Sequence, residues 1–147
     1  MRSDRVITAV SDGIVAGATC LNYNGAECFN PPLRALWDEL GLGVLRFLFL
    51  SWIMSESVES DTMYLDSLAV RSSQRGQGLG TKMINKVFSL AQEKGLTKVK
   101  LHVIDRNHNA RRLYERLGFK VTGEKSLFYP LTTVFDFKTG YEMTRIL

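Results

Sequence analysis

With 147 residues, 45% hydrophobic and 23% charged, the chain has the make-up of one soluble globular domain over 1–147. Such a length buries roughly two-thirds of the unfolded surface. The net charge of +4 and pI near 9.2 come from Lys and Arg spread along the chain with no dense block, so an anionic cofactor and a solvated surface explain them better than a nucleic-acid partner does.

Arg2, Asp4 and Arg5 lead into a period-2 pattern, which is not the long apolar core of a signal peptide. Cys20 and Cys28 lack companions at metal-ligand spacing, so free thiols in a reducing cytoplasm and no metal are expected. The β-type runs 5–10 and 14–21 flank Ser11-Asp12-Gly13, a hairpin signal with Gly13 at positive φ. A loop begins at 22–25. Asn30 before Pro31 and Pro32 marks a helix start, and Leu33, Leu36, Trp37 and Leu40 form its apolar stripe. Gly41 and Gly43 interrupt it, and a second helical segment is predicted over 44–55.

Within that segment the run 44–54 is apolar nearly all round, through Leu45, Phe47, Leu48, Phe49, Leu50, Trp52 and Ile53. It is interrupted by Arg46 and is too short to span a bilayer, so no membrane partner is expected. A helix without a wet face is buried on several sides. If its own domain leaves part of it uncovered, a two-fold homodimer through 44–54 would bury the rest, while packing wholly within the chain is the plainer alternative. Residues 56–62 are acidic and return the chain to the surface, with Glu56, Glu59 and Asp61 read as surface charges.

The centre of the chain runs over 63–95 and reads as strand, glycine-rich turn and helix. Residues 65–70 suit a short buried strand. Gly76, Gly78 and Gly80 alternate, so no Cβ blocks close approach of a ligand to the backbone. Met83, Val87, Leu90 and Ala91, with Ile84 and Phe88, follow helical spacing, and Gly95-Leu96 supplies a helix stop. Glycines that end a strand and open a helix leave amides at the positive end of a helix dipole, which is a phosphate site. The P-loop spacing is absent. The dinucleotide spacing also fails, because it places Thr81 or Met83 where its third glycine belongs.

Residues 98–104 alternate as a strand, with Val99, Leu101 and Val103 on one face and Lys100 and His102 on the other. A strand–helix–strand crossover of this length makes the two strands parallel. Asn107 or Asn109 caps a short helix ending at Gly118, and a strand starts over 119–122. Residues 128–137 and 141–146 are predicted to close the chain as a hairpin around Lys138-Thr139-Gly140. No internal repeat or linker is evident.

The spacing that fits is Arg75-x-x-Gly78-x-Gly80, which resembles the pyrophosphate-binding segment of the GCN5-related N-acetyltransferase (GNAT) family. Asp66-Ser-Leu-Ala-Val70 is similar to that family's fourth strand, and Asn107-x-x-Ala110-x-x-Leu113-Tyr114-Glu115-x-x-Gly118-Phe119 to its last helix and the approach to it. The resemblance implies an α/β acyl-coenzyme A N-acyltransferase fold, a mixed twisted sheet whose parallel central strands splay apart to admit acetyl-coenzyme A. The family usually opens with a strand and a helical pair. Here these are missing or replaced by a helical insertion at about 31–56, which leaves the acceptor pocket unassigned.

The same resemblance implies site residues. The pyrophosphate would lie on Arg75, Gly76, Gln77, Gly78, Leu79, Gly80 and Thr81, and the pantetheine arm on the backbone of Leu68, Ala69 and Val70. An amide there would polarise the thioester carbonyl. Asn107 would hold pantetheine carbonyls or simply cap its helix. Tyr114 would protonate the departing thiolate, or else be a core aromatic. Asp66 would take the ammonium proton, or else provide a salt bridge or acceptor-binding charge. His102 is a second candidate base, with a solvated strand face as its plainer explanation. The implied activity is direct acetyl transfer to a primary amine. A non-catalytic coenzyme A-binding module and an enzyme for protein or ribosomal amines stand as alternatives.

Overall fold

Asp12 and Gly13 both take left-handed backbone, φ 54° and 75°, which a two-residue hairpin turn needs to match the twist of its strands. They join β1 (Val6–Ser11) to β2 (Ile14–Asn22). The computed structural model describes residues 5–25, 28, 59–129, 132–133 and 136–147. The helices expected over 31–56, and the dimer surface drawn from 44–54, lie outside the described residues.

β3 (Thr62–Val70) pairs antiparallel with β2 and parallel with β4 (Lys98–Ile104), to which α1 (Leu79–Glu93) connects it. After α2 (His108–Arg116) come β5 (Lys120–Ser126) and β6 (Thr139–Ile146). The six strands form one mixed sheet in the order β1-β2-β3-β4-β6-β5. The strand–helix–helix that usually opens the resembled fold is missing ahead of β1 in these 147 residues.

Both helices pack into one core. The helical repeat of α1 buries Met83, Ile84, Val87, Phe88 and Ala91, and α2 adds Tyr114. Ile84, Val87, Phe88, Ala91 and Tyr114 join one cluster with Leu21, Met63, Leu65, Val99, Leu101, Val103 and Met143 from four strands. Gly95, at φ 71°, ends α1. Its N–H donates to the Gln92 carbonyl and that of Leu96 to the Ala91 carbonyl, both at 2.9 Å, so a paired left-handed cap satisfies carbonyls the helix would otherwise strand.

The sheet forks in its middle. β3 and β4 share four rungs only, from Thr62–Lys98 to Leu65–Leu101. Beyond them β3 follows β2 to the Gly17–Val70 pair, while β4 follows β6 to the Ile104–Gly140 pair. A bulge begins the split. Leu21 pairs with Leu65 and Cys20 with Ser67, which leaves Asp66 as the extra residue on β3, and a bulged strand bends. The Thr19 hydroxyl donates to the Ser67 carbonyl at 2.6 Å and pins the bend.

One expected strand is corrected. Residues 128–137 are not half of the closing hairpin, because β6 pairs with β5 instead, Val121 opposite Met143 and Ser126 opposite Thr139. In the intervening segment the Thr132 N–H donates to the Phe128 carbonyl and the Asp136 N–H to the Thr132 carbonyl. Phe128 and Tyr129 are exposed.

Candidate active site

The glycine turn read as a candidate anion site lies between the end of β3 and the start of α1. After a 3₁₀ turn at Ser72–Gln74, Gly76 and Gly78 both adopt left-handed backbone, φ 78° and 77°. Among the described residues, a Cβ built on either meets nothing within 4 Å. Gly78 caps α1 without a side-chain bond, and the first turn holds no acidic residue. The amides of Leu79, Gly80 and Thr81 precede the first helical bond, Lys82 N–H to the Gly78 carbonyl at 3.0 Å. They stand at the positive end of a helix whose own first turn carries no acidic side chain. Gly80 differs, since its Cβ would lie 3.3 Å from Leu113 Cδ2 on α2.

Side chains tie this turn to itself. Arg75 Nε donates to the Val70 carbonyl at 3.0 Å and Gln77 Nε2 to the Ser73 carbonyl at 3.2 Å. Arg75 therefore sits at the joint between turn and strand arm. The arm itself, Leu68 to Val70, bonds to β2 on one edge, and no strand pairs with its other edge among the described residues. A glycine turn at a helix start can take an anion, and an open strand edge can pair with an amide-bearing chain.

The remaining candidates divide between the core and the fork. Asn107 caps α2, its Oδ1 accepting the Ala110 N–H at 3.3 Å. Tyr114 is buried in the core, edge-on to Phe119 with centroids 5.8 Å apart. Burial pushes its phenol up, so it keeps its proton at neutral pH. Asp66 is exposed at the bulge, one residue beyond the last shared rung. His102 is half-buried one residue beyond the same rung on β4. Burial pushes its imidazole down, Glu142 opposes this, and Lys125 and Lys100 reinforce it.

Glu59 and Asp61 do more than decorate the surface. Glu59 bonds Lys100 Nζ at 2.5 Å and Lys98 Nζ at 3.3 Å, and Asp61 accepts the Thr97 hydroxyl at 2.9 Å, so they tie the closed end of the fork together. Sequence reasoning passes over Glu142, Thr19 and Gly17. Alternation along 141–146 could have put Glu142 on one face, but only the β4–β6 register sets it opposite His102. Among the described residues, no group of three His, Cys, Asp or Glu side chains could hold a metal. No described helix is long and apolar enough to cross a membrane.

Comparison with known proteins bears on the same region. Residues 2–119 match the family model described as the acetyltransferase (GNAT) family. An enzyme named thialysine N-epsilon-acetyltransferase from Bos taurus is 35% identical over 79 residues, covering 54% of this chain and 43% of that protein, so the chain spans less than half the length of that relative. The crystal structure of Ard1 from Thermoplasma volcanium superposes with TM-score 0.66 at 18% identity, covering 98% of this chain and 71% of that one. An acetyltransferase from Bacillus anthracis, solved in complex with acetyl coenzyme A, gives TM-score 0.66 at 16% identity over 97% of this chain and 61% of that one. Forked sheet, glycine cradle and matching family model agree: the chain belongs to the acetyltransferase (GNAT) family.

Proposed function

We propose that the protein transfers the acetyl group of acetyl-coenzyme A to a primary amine by direct attack on the thioester. The observation that carries this reading is the adjacency of the Gly76–Gly78 cradle to the arm of β3 left open by the four-rung β3–β4 pairing. Acetyl-coenzyme A supplies a thioester carbonyl carbon open to attack. The turn from Arg75 to Thr81 holds its pyrophosphate, and the backbone of Leu68, Ala69 and Val70 lines its arm, where an amide facing the carbonyl oxygen stabilises developing charge. Asn107, at the exposed start of α2, adds a polar group beside the arm.

Tyr114, protonated at neutral pH, hands its proton to the departing sulfur. Asp66 at the bulge meets the incoming ammonium group and receives its proton. An amine-directed relative and a fold neighbour bound to acetyl coenzyme A support the donor and the acceptor class. The free thiols of Cys20 and Cys28 suit a reducing compartment such as the cytoplasm.

Thiol release from acetyl-coenzyme A, measured against polyamines, amino acids, aminoglycosides and peptides with free N-termini, tests the reading. At least one amine should raise release well above hydrolysis. Tight binding without release for every amine would leave a coenzyme A-binding module instead.

A further inference from the structure

The loop after β2 brings a second cysteine back to the strand. Leu21 belongs to the helical core, so strand alternation turns Cys20 and Asn22 to the opposite face of the sheet. Asn24 and Gly25 take left-handed backbone, φ 52° and 66°, and the segment returns: the Cys28 N–H donates to Asn22 Oδ1 at 2.6 Å. Cys28 is thereby held over the face that carries Cys20. The two thiols meet there in hydrogen-bonding contact, and the Leu21 amide donates to the Cys28 sulfur.

The two sulfurs differ in access and in chemistry. Cys28 is 2% exposed, whereas Cys20 is half-buried, and both are free thiols. Burial first, then the adjacent Cys20 and the charge of Asp66, push the Cys28 thiol up to about 11, with the Leu21 amide opposing them. Cys28 therefore stays a neutral thiol that a solute does not reach. Cys20 can react with a solute, and Cys28 can then react with Cys20.

The pair also borders the bend that opens the fork. Cys20 lies opposite Ser67, the residue after the bulged Asp66, and the Thr19 hydroxyl holds the Ser67 carbonyl at 2.6 Å. A sulfur–sulfur bond from Cys20 to the loop pulls on β2 at the rung that fixes where Asp66 stands.

We propose that Cys20 and Cys28 form a dithiol switch, which a low-molecular-weight disulfide converts to an intramolecular disulfide that slows transfer to the amine. Cys20, as thiolate, bonds to one sulfur of the small disulfide, whose S–S bond breaks and whose other half leaves as a thiol with the proton Cys20 gave up. The Cys28 sulfur then bonds to Cys20 and displaces the second half, again as a thiol. The protein loses two electrons and two protons, and the small disulfide gains them. Disulfides of reducing compartments are mostly transient ones of this kind. The effect on transfer rests on the acetyl-transfer reading, but formation of the bond does not.

The test equilibrates the reduced protein with glutathione mixtures of rising oxidised fraction, quenches with acid, alkylates free thiols and weighs the intact chain. Wild type should pass from two alkylated thiols to none, ending two hydrogens lighter with no glutathione attached. Cys28→Ser should stop with one glutathione on Cys20, and Cys20→Ala should keep Cys28 free. Oxidised wild type should show kcat/KM for the most active amine lowered roughly tenfold, with acetyl-coenzyme A affinity by calorimetry unchanged and full recovery in dithiothreitol. Cys20→Ala should be as active as reduced wild type and indifferent to the glutathione mixture.

Wild type that ends with glutathione attached, with a bond between two chains, or with both thiols free in oxidised glutathione overturns the pairing. These outcomes need wild type alone, so they decide even where a cysteine variant fails to fold. An internal disulfide that leaves kcat/KM unchanged overturns the switch. Reduced wild type inactive toward every amine overturns the acetyl-transfer reading and with it the control of transfer, while the disulfide still stands or falls by mass.

Discussion

Gly17 and Met83 leave no room between them: a methyl on Gly17 would stand 2.8 Å from the Met83 sulfur and 3.1 Å from the Ala69 carbonyl oxygen. This contact clamps β2 to α1 and to the arm of β3 proposed to carry the cofactor. Met83 can rotate away, but the Ala69 carbonyl moves only if the arm moves. Gly17→Ala should destabilise the fold by about 1–3 kcal/mol and weaken acetyl-coenzyme A binding. Urea denaturation and calorimetry check this, and a variant equal to wild type in both shows the clamp to be slack.

Gly78 and Gly95 lie at opposite ends of α1 with near-identical left-handed backbone and open space about their Cα atoms. An L-residue at either place costs about 1–2 kcal/mol of backbone strain. Only Gly78 belongs to the cradle. Gly78→Leu should abolish calorimetric binding of acetyl-coenzyme A, whereas Gly95→Leu should lose similar stability and bind normally. Retained affinity in Gly78→Leu removes the pyrophosphate seat from the argument.

Tyr114→Phe keeps the ring that packs on Phe119 and removes the proton. It should lower kcat by roughly 10²-fold with melting temperature and cofactor affinity unchanged. The same burial has a consequence for stability. The folded phenol holds its proton above the pH at which the unfolded one loses it, so its contribution is full below about pH 10 and is lost as pH rises from there. Wild type should therefore weaken faster than Tyr114→Phe between pH 9.5 and 11. Equal kcat in the variant takes Tyr114 out of the chemistry.

His102 has the opposite dependence. Its folded pKa lies below the ordinary value, so on acidification the unfolded chain binds the proton first. The stability contribution is complete above about pH 6.5 and falls as pH drops towards the folded value. Urea midpoints at pH 7.5 and 5.5 should differ less in His102→Gln than in wild type. An equal difference would show that the ring titrates as it does in water.

Features set by neighbours along the chain were legible from residue types alone. Asp12-Gly13 permits only a tight left-handed turn, the spacing of 83–91 one buried helical face, and Gly95-Leu96 a capped stop, and each stands as expected. Arg75-x-x-Gly78-x-Gly80 announced an open helix start for the same reason, since backbone freedom and helix dipole are local properties. The alternation of 98–104 named the faces of β4 correctly.

Tertiary structure alone decided which strands meet and where they part. Residues 128–137 carry more β-type side chains than Lys120–Ser126, yet the latter became the partner of β6. An edge strand needs few apolar residues, and register outranks propensity. The fork depends on one extra residue, Asp66, in a ladder between segments over 40 positions apart. Glu142 came to stand beside His102 through a pairing of similar span. Local residue pattern sets how each segment bends, but the contacts that build the site belong to pairs of segments, and no single segment carries them.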